Sequence, residues 1–154
     1  MDALTLRQDS PEAPQIHAVL QAHHALMRSQ SPAESCHVLD PSELAQAGAV
    51  LMSALRGDAV VGVGALAPLG DHMGEIKSMH TLANTRGQGV GRAILRSLIE
   101  IARERDMQSL WLETGSADVF APARRLYHAE GFEDCPPFGS YKLDPLSVFM
   151  TRRL

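Results

Sequence analysis

The feature that most constrains this chain is a run of three glycines within five residues, Gly87, Gly89 and Gly91. It lies between a strand-like stretch, Glu75–Leu82, and a helix whose apolar residues Val90, Ala93, Ile94, Leu95, Leu98, Ile99 and Ala102 fall on one face. Glycine inside regular structure costs about 0.5–1 kcal/mol relative to alanine. The usual compensation is a tight turn whose backbone N–H groups converge at the positive end of the following helix, which makes an anion site. A diphosphate fits such a site, and Arg86 and Arg92 flank it with charge. A dinucleotide fingerprint would need glycine where Arg92 stands, and a P-loop would need Gly-Lys-Ser/Thr; neither is present.

The remaining elements follow from local pattern. Leu4–Arg7 alternates like a strand, and Gln15–Arg28 carries Ile16, Val19, Leu20, Leu26 and Met27 at helical spacing. Positions 29–37 read as a loop. Asp40 followed by Pro41 marks the start of a short helix ending near Gly48. Strand-like runs at Ala49–Leu55, Ala59–Leu66 and Glu75–Leu82, broken by turn signals ending at Asp58 and Asp71, predict an antiparallel meander. Beyond the glycine-led helix come a strand at Ser109–Thr114, a helix at Pro122–Glu130 ended by Gly131, and strands at Phe132–Cys135 and Ser147–Arg152. The predicted order is β-α-α-β-β-β-α-β-α-β-β, an α/β chain with a mixed sheet. At 154 residues it is expected to be one domain, 1–154.

Composition narrows the partners. A net charge of −4 and a pI of about 5.9 argue against a nucleic-acid partner, and Arg103/Arg105 and Arg124/Arg125 read as solvated helix faces. No apolar run approaches the length of a membrane span, and the N-terminal residues from Met1 onward lack the basic flank and apolar core of a secretory signal. Cys36 and Cys135 are far apart and outside any zinc spacing, and the histidines show no ligand spacing either, so no metal is expected. The expected location is a reducing cytoplasm.

Two stretches together resemble a known family. Arg86-Gly87-Gln88-Gly89-Val90-Gly91 fits R/Q-x-x-G-x-G/A, and Ala123 to Phe132 fits A-x-x-L-Y-x-x-x-G-F, about thirty residues later. The chain is similar in these motifs, and in element order from Leu4 to Leu154, to the GNAT superfamily of N-acetyltransferases. The resemblance implies the acyl-CoA N-acyltransferase fold, a central mixed and mostly antiparallel sheet flanked by helices, with acetyl-CoA as cofactor. It implies cofactor contacts from Met79, His80 and Thr81 on the strand and from Arg86, Gly87, Gln88, Gly89, Val90, Gly91 and Arg92 at the turn. Tyr127 would face the cofactor sulfur. Where family members often carry a polar Asn ahead of the second motif, this chain has Phe120.

Transfer of an acetyl group to an amine requires a neutral amine, a stabilised oxyanion and a stabilised leaving thiolate. A phenol suits the last task, hence Tyr127. For the base, the resemblance points to Glu75, eleven positions before Arg86, with Glu113 and His80 as rivals. Glu34, His37, Glu113 and Tyr141 are the candidate acceptor contacts, with Ser35 and Asp144 nearby in sequence. The expected acceptor is a primary amine of a small molecule or amino acid, with a homodimer as candidate assembly. Two alternatives stand beside it: a protein or peptide acetyltransferase, and a catalytically silent acyl-CoA-binding module.

Overall fold

The computed structural model describes residues 3–154; Met1 and Asp2, the start of the segment read as lacking a signal, lie outside the described residues. The chain runs β1 (Leu4–Asp9), α1 (Pro14–Gln30), α2 (Pro41–Gln46), β2 (Val50–Arg56), β3 (Ala59–Gly70), β4 (Met73–Thr81), α3 (Val90–Glu104), β5 (Ser109–Gly115), α4 (Ala121–Ala129), β6 (Glu133–Cys135) and β7 (Ser147–Arg153). This is the element order read from the sequence, with short 3₁₀ turns at Ala33–Ser35, Ala83–Thr85 and Asp118–Phe120 added. Among the described residues, no helix is long and apolar enough to cross a membrane.

One seven-stranded sheet has the order β1-β2-β3-β4-β5-β7-β6. Every neighbouring pair is antiparallel except β4 and β5, which are parallel and joined through α3. Alternation along the strands sends side chains to two cores. On one face Ala54, Leu66, Ile76, Leu110, Leu112 and Met150 pack against Ile94, Leu95 and Leu98 of α3 and Tyr127 of α4. On the other, Leu51, Val63 and Ala65 pack against Ile16, Val19 and Leu20 of α1 and Leu44 of α2. Helix α2 holds its start with a reciprocal cap: Asp40 Oδ1 accepts from the Glu43 amide at 2.8 Å, and Glu43 Oε1 accepts from the Asp40 amide at 3.2 Å.

The close approach of α3 to the sheet depends on Gly64. A Cβ there would fall 2.6 Å from Ile94 Cγ2 and closer still to Met79 Sδ. Gly64→Ala is expected to destabilise the fold by about 1–3 kcal/mol through overpacking, read as a lower urea midpoint at unchanged slope.

One strand end differs from expectation. The sequence places a turn from Pro68 onward, yet β3 continues to Gly70, pairing Pro68 with Gly74 and Gly70 with Met73, and the chain reverses at Asp71–His72 instead. Beyond Leu66, the last residue paired with β2, one side of β3 is an edge, where proline's missing N–H is tolerated.

Candidate active site

The site begins with an irregularity in β4. Between Ala65↔Lys77 and Val63↔His80, β3 advances two residues while β4 advances three. The extra residue is accommodated at Ser78, which takes a left-handed φ of 56°. The bulge keeps Glu75, Lys77 and His80 on the α1 face although their spacing breaks the period of two. Beside it the parallel pairing of β4 with β5 stops: the last partners are Ile76 and Leu112. Past that point the two strands part, leaving β4's β5-facing edge unpaired and opening a gap through the sheet.

A cleft of about 740 Å³ occupies that gap, within the range of small-molecule sites. From the α3/α4 face it is lined by Met79, Val90, Gly91, Phe120, Ala123, Leu126 and Tyr127; from the α1 face by Glu75, Lys77, His80, Glu113, His23, His37 and Tyr141. The gap therefore lets side chains from opposite faces meet.

At one end lies the glycine turn. Gly87 and Gly89 have φ of 77° and 81°, and a Cβ on either would meet nothing within 4 Å, so the turn's backbone is open. Gly89 is the N-cap of α3, has no side chain to cap with, and no acid stands in the first turn. The first amides of α3 are thus left for an external acceptor. Arg86 is exposed at the cleft, its Nε donating to the Thr81 carbonyl at 3.1 Å. Arg92 also lines the cleft but shares Glu130 Oε1 with Arg96, at 3.4 and 2.7 Å. Gln88, at the tip between two left-handed glycines, is exposed and outside the lining.

The other end, roughly 20 Å away along β4 at about 3.3 Å per residue, carries the ionisable groups. Glu75 is buried; its Oε2 accepts from Tyr141 O–H at 2.6 Å and from Lys77 Nζ at 3.1 Å, and Lys77 Nζ also donates to Tyr141 Oη at 3.1 Å. Glu113, across the gap on β5, has no cation in such contact among the described residues. Burial pushes its pKa up to about 7 against the opposing effects of the nearby Ser147 hydroxyl and the Lys77 charge, and the charges of Glu75 and Asp144 add to the rise. Tyr127 is buried on α4, and burial together with the Glu113 charge raises its pKa above the ordinary phenol. Its hydroxyl has no hydrogen-bond partner among the described residues.

His80 is less available than the sequence suggested. Its Nδ1 lies 3.3 Å from His23 Nδ1, and burial, with the Arg86 charge behind it, lowers its pKa to about 4. His23 falls to about 3, through burial first and then the charges of His80 and His24. Two neutral imidazoles sharing a hydrogen bond brace α1 against β4. Among the described residues, no cluster of histidine, cysteine and carboxylate could hold a metal.

The roof comes from α1, the segment after it, and the loop between β6 and β7. Phe138 and Tyr141 from that loop stack edge-on at 5.0 Å and rest on Trp111 and Phe149. Tyr141 also meets His37 edge-on at 5.0 Å, and Ser35 Oγ donates to Asp144, strapping the two segments together. Four of the expected groups, Glu75, Glu113, His37 and Tyr141, are thus brought together. Glu34 is not: it is exposed on the 3₁₀ turn and outside the cleft, while its neighbour Ser35 makes the strap. Lys77 and His23 were not singled out beforehand. Phe120, in place of the family's Asn, is buried with its ring against Gly115, so this position makes an apolar wall.

Known proteins resemble this chain in sequence and in fold. The model of the acetyltransferase (GNAT) family matches residues 16–132. The uncharacterized N-acetyltransferase YsnE of Bacillus subtilis is 43% identical over 140 residues, 91% of this chain and 93% of that protein. An IAA acetyltransferase of Azospirillum brasilense is 35% identical over the full length of both. In fold, a GNAT acetyltransferase of Elizabethkingia anophelis solved with acetyl-CoA bound superposes with a TM-score of 0.71 at 18% identity, covering all of both chains. With a bulged β4 parted from β5, an uncapped glycine turn at one end of the opening and a phenol facing into it, the chain belongs to the GNAT family and is an acetyl-transferring enzyme.

Proposed function

We propose that the chain moves an acetyl group from acetyl-CoA to the primary amine of a small molecule or amino acid by direct attack. The observation that carries this reading is the gap between β4 and β5, which gives one cleft an open anion turn at one end and a paired set of ionisable groups at the other. The residues fit the cofactor. The open amides around Gly87–Arg92 would hold its diphosphate, and the unpaired β4 edge past Ile76 would hydrogen-bond its amide-bearing arm as a strand does. When bound, acetyl-CoA supplies a thioester carbonyl as acceptor for the amine and a sulfur as leaving group.

The chain's own residues divide the remaining work. Glu113, with a pKa near 7, is suited to take the amine's proton; Glu75 already accepts from Lys77 and Tyr141 and positions them. Tyr127 holds its O–H toward the cleft as a donor for the departing sulfur. The strapped roof favours a small acceptor over a polypeptide, since Ser35–Asp144 closes the mouth between α1's exit and the β6–β7 loop.

Isothermal titration with acetyl-CoA, followed by free-CoA release over an amine panel, tests the reading. Absence of acetyl-CoA binding would sink it. Gly89→Asp sharpens the test, because it sets a carboxylate at the N-cap where the diphosphate charge would sit. In the left-handed region, at φ 81°, the aspartate costs about 1–2 kcal/mol and lies outside the extended conformation from which an N-cap side chain bonds the helix amides. Acetyl-CoA affinity should fall at least tenfold (about 1.4 kcal/mol), with the melting temperature lowered by only a few degrees.

A further inference from the structure

Among the described residues, Lys77 is the lysine or arginine on the acceptor side of the cleft, and the acetyl-transfer chemistry leaves it without a task. Its side chain is only 13% exposed, and a buried ammonium is held at a cost unless its donors are met. Of its three N–H donors, one goes to Glu75 Oε2 and one to Tyr141 Oη; the third has no partner among the described residues. Glu75 and Lys77 cancel in charge, and Tyr141 spends its own O–H on Glu75. What the trio offers a guest is therefore one fixed N–H donor, on an ammonium already paired with Glu75.

That cation is wrongly placed for a plain amine. An ammonium entering beside Glu113 would meet Lys77, which is near enough to act on Glu113 electrostatically. A carboxylate on the same guest reverses the sign of that contact. Leu26, Met27, Val38 and Leu39, from α1 and the segment after it, give the pocket an apolar stretch beside the polar groups of His23 and His37.

We infer that Lys77 binds a carboxylate of the acceptor, so that the amine acetylated belongs to an amino acid with an apolar side chain rather than to a plain amine. The inference rests on the reading of this cleft as the acyl-transfer site.

The test compares kcat and KM, by free-CoA release, for L-phenylalanine, L-methionine and L-leucine against phenethylamine, 3-methylthiopropylamine and isoamylamine. Wild type should favour the carboxylate-bearing partner of each pair by about tenfold to a hundredfold in kcat/KM, carried in KM. Lys77→Met should bring that ratio close to one through a higher amino-acid KM, and Lys77→Arg should keep most of it. Should Lys77→Met fail to fold, Lys77→Gln and the wild-type ratios decide the matter. Equal use of both partners by wild type, turnover on no amino acid, or a Lys77→Met ratio unchanged from wild type overturns the inference. Acetylation of the plain amines alone would do so while leaving the acyl-transfer reading intact; failure to bind acetyl-CoA would remove both.

Discussion

Glu113→Gln is expected to lower kcat/KM by about two to four orders of magnitude, to erase the limb of the pH profile that rises through about 7, and to make the folded chain more stable at alkaline pH. The three effects share a cause. Glu113 stands on β5 where the strand has left β4, with burial and the neighbouring charges of Glu75 and Asp144 working against its ionised form. Only the deprotonated form can accept a proton, so turnover grows as pH rises through the folded pKa. Stability runs the opposite way. A carboxyl with a folded pKa of about 7 and an unfolded value of 4.5 binds its proton more tightly in the native state, so stability declines as pH climbs between those values. The loss is complete above the folded pKa and is on the order of 3 kcal/mol.

Glutamine keeps the shape and cannot ionise. Urea denaturation of both proteins should therefore give a small difference near pH 5 and a larger one, in favour of the variant, near pH 8.5. A variant that loses activity but retains the rising limb would exclude Glu113 as base and return the role to Glu75. A variant that loses stability at pH 8.5 would mean that the carboxylate is better paired than its surroundings suggest.

The parts of this site that could be read from the sequence are those set by neighbours along the chain. Three glycines before an amphipathic stretch specify the turn and the start of α3, because left-handed φ at Gly87 and Gly89 is a local demand. Tyr127 is legible through the A-x-x-L-Y-x-x-x-G-F stretch that carries the family resemblance, and it stands on α4 ahead of Gly131. Asp40, Pro41 and Glu43 announce α2 in the same local way.

What could not be read depends on pairing across strands. The bulge at Ser78 decides that Lys77 and His80, three residues apart, share a face, and simple alternation would separate them. The contact of Lys77 with Tyr141 joins residues 64 positions apart through a loop of no regular pattern. That same loop makes Ser35, and not Glu34, the partner of Asp144, a choice that polarity alone does not make. At Phe120 the sequence revealed a departure from the family pattern, while its consequence needed Gly115 to be seen beneath the ring.

Tyr127→Phe is expected to reduce kcat by about one to three orders of magnitude while acetyl-CoA affinity stays within about twofold of wild type. The hydroxyl lines the cleft and bonds to no described residue, so its removal breaks no internal contact and the fold should be unaffected or slightly firmer. Burial and the Glu113 charge hold the phenol protonated well beyond the ordinary range for tyrosine. A thiol titrates near 8.5, so a donor raised above the ordinary phenol favours a hydrogen bond to the departing sulfur over surrender of its proton. Two consequences separate this role from that of a titrating acid. Wild type should show no falling limb attributable to Tyr127 below about pH 10, and Tyr127→Phe should lower the pH profile without changing its shape. Equal losses in kcat and in acetyl-CoA affinity would instead make Tyr127 a packing residue of α4, and disappearance of an alkaline limb would make it a true proton donor.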